Sequence, residues 1–243
     1  MTKDISWLSR TTLLVGEPAV RNLAASHVMI VGMGGVGSFA AEFIARSGVG
    51  KMTIVDGDVV DPTNRNRQLP ALANNHGESK ADIMAERIRA INPEVELEVV
   101  RSFIKPEMVA ELLAMKPDYM IDAIDSITPK ITFIREAYGC GLPFVSSMGA
   151  GGKLDPTALR IADISKTYNC PFAQQVRKVL KTHGIYKGIE AVFSPEKNVP
   201  ESLMLTDGTN YKKSAYGTIS YMPATFGAVA ASVVIRKLIA EQE

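Results

Sequence analysis

Val28-Met29-Ile30-Val31-Gly32-Met33-Gly34-Gly35-Val36-Gly37 is an apolar run of strand length that ends in a glycine-rich turn. The residues that follow, Val36 to Arg46, read as a helix. Gly32, Gly34 and Gly37 keep the G-x-G-x-x-G spacing, with Gly35 beside them. In that motif the first glycine permits a tight turn, the second lets a phosphate approach the backbone, and the third lets helix and strand pack closely. The helix start then offers unpaired N–H groups and the positive end of a dipole to an anion. Lys51 to Val55 reads as a second strand, closed by Asp56 where a carboxylate meets a ribose hydroxyl pair. A glycine turn without a ligand is the competing reading, and the motif alone does not say which nucleotide it holds.

The 243 residues suit one large α/β domain, expected over 1–243 with an arm (1–25), a nucleotide-binding core (26–152) and a substrate-side extension with a closing helix (153–243). Apolar residues make up 46% and charged residues 22%, the composition of a protein with a sizeable core. The formal net charge of +1 excludes a global basic field for polyanions. The N-terminus has no continuous apolar signal core. Phe226 to Ala240, with Arg236 and Lys237 inside it, is too short to span a membrane. Two cysteines, Cys140 and Cys170, suit a reducing compartment and exclude a tetracysteine zinc site, so a cytoplasmic protein is expected.

Trp7 to Val20 reads as a helical or irregular arm that carries Arg10, with Trp7, Leu8, Leu13 and Leu14 able to dock on a surface. Gly57 to Gln68 is a polar crossover, and Glu78 to Ile91 a helix stopped by Asn92-Pro93. Lys80 falls in the first turn of that helix, where the dipole prefers an anion, which hints that it serves something outside the helix. Tyr119 to Ala123 is a buried strand that ends in Asp122-Ala123-Ile124-Asp125. Carboxylates there face the ligand crevice of an open α/β sheet, although Asp125 capping the next helix is an equal reading. Val95 to Val100, Pro143 to Ser147 and Ala191 to Phe193 read as strands, with helices at Lys105 to Met115 and Lys130 to Tyr138. The alternation predicts an α/β fold: a Rossmann-like, doubly wound, mostly parallel sheet with a smaller, looser C-terminal extension. Asn169 opens a helix over Pro171 to Lys181, and Asn198 to Tyr221 reads as a loop.

The chain adds to its glycine turn Asn64, Arg67 and Gln68, Lys80 at a helix start, and Asp125 at a strand end. Two cations and a carboxylate thus converge on the phosphate end of a nucleotide, which hydride transfer does not need and a triphosphate with magnesium does. Gly32 to Gly37, Asp56-Gly57-Asp58, Asn64-x-x-Arg67-Gln68, Lys80 and Asp122 to Asp125 together resemble the ThiF-type, ubiquitin-activating-enzyme-like superfamily of adenylating enzymes. That resemblance implies ATP and Mg2+ as cofactors, with a monovalent cation as a further candidate. It implies Asp56 at the ribose, Arg67 and Lys80 at the phosphates, Asp125 at the metal, and Asp58, Asn64, Gln68 and Asp122 in the cofactor site. It also implies a homodimer, with Arg10 of Ser9-Arg10-Thr11 reaching the partner's ATP site.

Within the superfamily the chain is most similar to the branch that cyclises threonylcarbamoyladenosine in tRNA. The likeness runs through Arg10 to Glu17, Asp122 to Lys130, Gly149 to Thr157, Asp163 to Thr167, Val192 to Ser194 and Ala224 to Gly227. In that chemistry ATP adenylates the threonyl carboxylate and the ureido group of the same side chain expels AMP. Tethered attack reaches effective molarities of ~10⁵–10⁸ M, so a protein nucleophile is not obligatory. Lys212 to Tyr221, where some relatives carry a cysteine, has none. Two alternatives remain open: adenylation of the C-terminal glycine of a ubiquitin-like sulfur-carrier protein, and a nucleotide-binding regulator or NAD-dependent oxidoreductase. For tRNA, the expected surface is the basic excess of Lys166 to Lys213, eight lysines and arginines against four carboxylates, with Arg177, Lys178 and Lys181 on one helix face.

Overall fold

A computed structural model describes residues 3–205 and 214–240. Strand β1 (His27–Val31) lies inside a seven-stranded sheet. On one side are β2 (Lys51–Val55) and β3 (Glu96–Val100). On the other are β4 (Tyr119–Asp122), β5 (Phe144–Ser147), β7 (Glu190–Phe193) and β6 (Arg160–Asp163), giving the order β3-β2-β1-β4-β5-β7-β6. All neighbours are parallel except the β6–β7 pair. The doubly wound, mostly parallel sheet read from the sequence is therefore the fold.

Parallel strands are covered on both faces, so their residues alternate between two cores. Val28, Ile30, Met52 and Ile54 enter one core, against α2 (Glu17–Ala25), α3 (Gly37–Arg46), α4 (Lys80–Ile91) and α8 (Tyr221–Ala240). Met29, Val31, Val55 and Met120 enter the other, against α5 (Pro106–Ala114), α6 (Ile127–Gly139) and α7 (Pro171–Thr182). Ser79 caps α4 by accepting from the Asp82 N–H at 3.3 Å. The carboxylate of Glu42, 7% exposed, ties α3 to α4 by accepting from Arg46 at 2.7 Å and Arg87 at 2.5 Å.

In the C-terminal third, β7 and β6 extend the same sheet and α8 returns to its core. Other expectations need correction. Within Asn198 to Tyr221, read as a loop, β8 (Leu203–Leu205) and β9 (Ser214–Tyr216) pair antiparallel. Asn169 does not cap α7; it sits at φ +52°, and Cys170 takes the cap position without a side-chain bond. Helix α8 begins at Tyr221, because Pro223 falls in its first turn where proline needs no donor. Its 20 residues are long and apolar enough to cross a membrane, so length does not exclude a span. Burial of Met222, Phe226, Ala230, Val233 and Val234 in the core is what places it inside the fold. The arm folds as α1 (Ser9–Val15) and α2, broken at Gly16 with φ +85°.

Burial raises the Glu42 carboxyl, and the hydrogen bonds from Arg87 and then Arg46 outweigh it, leaving it below the usual range. A carboxyl depressed by folding stabilises above its unfolded value, and loses that contribution as pH falls through the folded one. Glu42→Gln should therefore cost about 1.5–3 kcal/mol at pH 7. In urea titrations the gap from the parent should close on acidification below the carboxylate range, and a gap independent of pH would contradict the ionic origin.

Candidate active site

A cavity of about 1010 Å³ opens where the chain leaves β1 and β4 in opposite directions, the crevice in which open α/β sheets bind ligands. The glycine turn forms its floor. A Cβ on Gly32, already at φ +96°, would lie 2.9 Å from the Ala123 carbonyl oxygen. One on Gly35 would meet Pro223 Cβ at 2.9 Å, and one on Gly37 would sit 1.7 Å from the Gly32 oxygen. Packing explains these three. A Cβ on Gly34 would find nothing closer than Gln68 Nε2 at 3.8 Å, so the protein interior does not require glycine there. Gly34 keeps the floor open for a group that approaches the backbone. Ser38 Oγ holds the Gly34 carbonyl at 2.5 Å. The α3 start has no side-chain cap, leaving its N–H groups for an anion.

Asp56 closes β2 and grips the same turn. Its Oδ2 accepts from the Met33 N–H at 2.5 Å and its Oδ1 from the Asp58 N–H at 2.7 Å. Burial pushes its carboxyl above the ordinary value, against those two donors and the Lys80 charge. Lys80, the first residue of α4, is 3% exposed and its Nζ reaches Asp58 Oδ2 at 2.6 Å. The cation that the helix dipole disfavours is thus anchored by a carboxylate at the cavity wall.

The crossover supplies the facing wall. Asp61 and Asn64 form a reciprocal capping box around a short 3₁₀ turn, Pro62–Asn64. That turn sets Asn64, Arg67 and Gln68 on the cavity. Arg67 Nη1 donates to the Thr63 carbonyl and to Asn66 Oδ1, each at 2.9 Å. Burial pulls the Arg67 guanidinium down from its ordinary value, opposed by the fields of Asp125 and Asp61. Among the described residues the buried Gln68 Oε1 finds no hydrogen-bond donor, which leaves this acceptor open to a donating ligand group.

One residue of the expected site stands elsewhere. Asp122 is fully buried and does not line the cavity. Its oxygens accept from Lys130 Nζ at 2.8 Å, Ser146 Oγ at 2.6 Å and the Ile124 N–H at 3.1 Å, so it has no reach toward a cofactor. Arg10 is exposed on α1 and does not line its own chain's cavity. Asp125 lines the cavity mouth and is exposed; the α6 cap position belongs to Ser126, one residue later. Among the described residues no group of three His, Cys, Asp or Glu forms a metal cage. A magnesium held by one carboxylate plus substrate phosphates needs no such cage, and Asp125 beside the phosphate floor fits that mode.

Sequence reasoning missed Lys130, although the sign was legible: like Lys80 it is a cation in the first turn of a helix. It also missed the distal wall, which includes Phe172, Gln175, Asn198 and Tyr216. Asn198 and Tyr216 come from the stretch read as loop. Lys212 and Lys213 lie outside the described residues.

The sequence profile of the ThiF family matches residues 8–243. The chain is 41% identical to the tRNA threonylcarbamoyladenosine dehydratase of Escherichia coli strain K12, across 97% of this chain and 96% of that one. It is 46% identical to the enzyme of the same name from Bacillus subtilis strain 168, across 79% and 75%. The crystal structure of the E. coli dehydratase in complex with ATP superposes with a TM-score of 0.89 at 40% identity, covering 99% of this chain and 98% of that one.

The glycines separate packing from binding. Gly37→Ala should lose upwards of about 3 kcal/mol, since its methyl collides with backbone. Gly34→Ala should keep its stability within about 0.5 kcal/mol yet weaken nucleotide binding at least about tenfold. Thermal melts and calorimetric titration with nucleotide check both, and parent-like binding by Gly34→Ala would mean the floor is not a cradle.

Proposed function

The chain belongs to the ThiF family, and from that membership we propose that it dehydrates threonylcarbamoyladenosine in tRNA by ATP-dependent adenylation. The observation that carries this reading is the near full-length likeness to dehydratases of that name, whose E. coli member was crystallised with ATP. The cavity supports it, because its open glycine and anchored lysine fit a polyphosphate, while the unpaired Gln68 oxygen suits a donor such as a nucleotide hydroxyl or amino group.

The triphosphate lies along the Gly32 to Gly37 floor, with Arg67 and Lys80 against its oxygens. Asp56 is rigidly held by two backbone donors and keeps lone pairs for the ribose hydroxyls. A magnesium ion on Asp125 would supply neutralisation of the phosphates. The carboxylate oxygen of the modified nucleoside attacks the α-phosphorus and pyrophosphate leaves. The ureido nitrogen then attacks the activated carbonyl, loses its proton, and expels AMP with the former carboxylate oxygen, so the nucleoside is lighter by one water. Cys140 is exposed near the end of α6 and Cys170 is buried, and neither is required by this sequence of steps. The substrate tRNA and the burial of α8 in the core together suit the cytoplasm.

The same reading assigns the active form as a homodimer. On α1, Leu13 and Leu14 are 88% and 85% exposed, beside Arg10 and a half-exposed Trp7. A second copy covering this apolar helix would bring Arg10 to the partner's cavity, since it does not serve its own.

Incubation with ATP, magnesium and threonylcarbamoyladenosine-bearing tRNA should yield the dehydrated nucleoside by mass spectrometry. Lys80→Ala and Arg67→Ala should each lower the rate about 10²–10³-fold with the fold intact. Near-normal pyrophosphate release by either variant would remove it from the phosphate site, and turnover dependent on a carrier protein instead of tRNA would replace the substrate. For the dimer, neither Arg10→Ala nor Lys80→Ala alone should be active, while their mixture should regain activity through one intact composite site. No recovery despite demonstrated subunit exchange would place Arg10 outside the partner's site.

A further inference from the structure

A second, more open cavity of about 510 Å³ adjoins the first and shares Cys170, Pro171, Asn198 and Tyr216 with it. We propose that it is a subsite for the nucleotide that flanks the modified adenosine, taking its phosphodiester and its base. The inference rests on tRNA being the substrate of the main cavity, and it names the part of the tRNA that this surface reads.

Charge is one reason. Two cations, Arg177 and Lys197, line the cavity, and among the described residues no carboxylate does. Arg177 is half-buried at the edge of the packed face of α7, and its Nη1 donates to Thr167 Oγ1. Thr167 Oγ1 is itself fixed to the Ile164 carbonyl at 2.8 Å. One bond thus holds the guanidinium fork in place, and a guanidinium has further N–H donors for a phosphate. The α7 helix begins at Pro171 on the shared wall with no side-chain cap, which adds a dipole end of the same sign.

The second reason is a ring. Tyr168 is 46% exposed, and it packs edge-on against Phe193 with centroids 5.8 Å apart and planes at 71°. A ring held at its edge and open to solvent is a stacking platform for a single-stranded base. The pairing of platform and cations matches single-stranded nucleic acid, whose bases stack while its backbone is neutralised. An adenosine extruded into the main cavity leaves its neighbour at the mouth, where the two cavities meet.

The helix face expected from the sequence divides here. Arg177 turns to the cavity, whereas Lys178 and Lys181 are exposed and do not line it. Charge reversal at the two lysines therefore separates a general basic face from this subsite.

Steady-state kinetics with modified tRNA and ATP decides the matter. Lys197→Glu and Tyr168→Ala, both at exposed positions, should raise the KM for tRNA about five-fold or more. The KM for ATP and the kcat should stay within about two-fold, as for residues that act only in tRNA binding. In Lys197→Glu the log–log salt slope of tRNA binding should shrink by roughly 0.7, one single-strand contact. Arg177→Gln should behave alike, and Lys178→Glu with Lys181→Glu should not. An unchanged tRNA KM in both Lys197→Glu and Tyr168→Ala overturns the subsite while leaving the function intact. A parallel loss for ATP shows a structural role and overturns it too. Absence of dehydrated product from the unaltered protein overturns the functional reading itself.

Discussion

The buried ion pair between Asp122 and Lys130 is the constraint on which the site's geometry depends. Neither side chain reaches solvent, and they meet at 2.8 Å behind the cavity rather than in it. Burial pushes the Lys130 ammonium down from its ordinary value, and the adjacent Asp122 charge opposes that. Removing two charges from water costs several kcal/mol per ion, and their attraction offsets this only with good geometry and further hydrogen bonds. Those bonds exist: Asp122 also takes Ser146 and the Ile124 N–H, and Lys130 also donates to the Ile124 carbonyl at 3.1 Å. Its cation stands 5.6 Å from the centre of the Phe172 ring, in the first turn of α7. One ammonium thereby joins β4, α6, α7 and the loop leading to Asp125. The pair is better understood as fixing that loop than as a source of net stability.

From that anchor the cavity acquires its two poles. Ala123 leaves the loop with its carbonyl beneath Gly32, so the end of β4 and the glycine turn define each other's position. The Lys80–Asp58 pair does for the anionic ligand what a mobile lysine cannot. It presents a fixed cation, so little reorganisation is needed when charge arrives. Because Asp58 is half exposed and Lys80 is not, the carboxylate can turn toward water while the ammonium stays at the wall.

What was legible in the sequence follows from the range of the interactions involved. The glycine turn, β1, β2 and the α4 stripe are local patterns, and parallel strands announce themselves as apolar runs. Asp122 and Asp125 are three residues apart and chemically alike, but one is buried and the other exposed. The difference comes from Lys130 and Ser146, partners that only the fold brings in. The β8–β9 pair was illegible because its strands are three residues each and largely exposed, without an alternating apolar face to read. Pro223 disguised the start of α8 by standing where a helix tolerates proline.

Pro223 also explains why the second half of the chain belongs to the same site as the first. It lies in the first turn of α8, where it presses on Gly35, and Gly227 one turn later approaches Val36 and Ala40 of the α3 start. A helix that closes the chain is therefore seated on the turn that opens the nucleotide cradle. The stretch just before α8 crosses the cavity mouth, where Thr218 accepts from Asn66 Nδ2 at 2.9 Å through its carbonyl. Asn66 neighbours Arg67, and Tyr216 two residues earlier separates the two cavities. The Asn66–Thr218 bond thus ties the phosphate wall to the stretch that carries Tyr216.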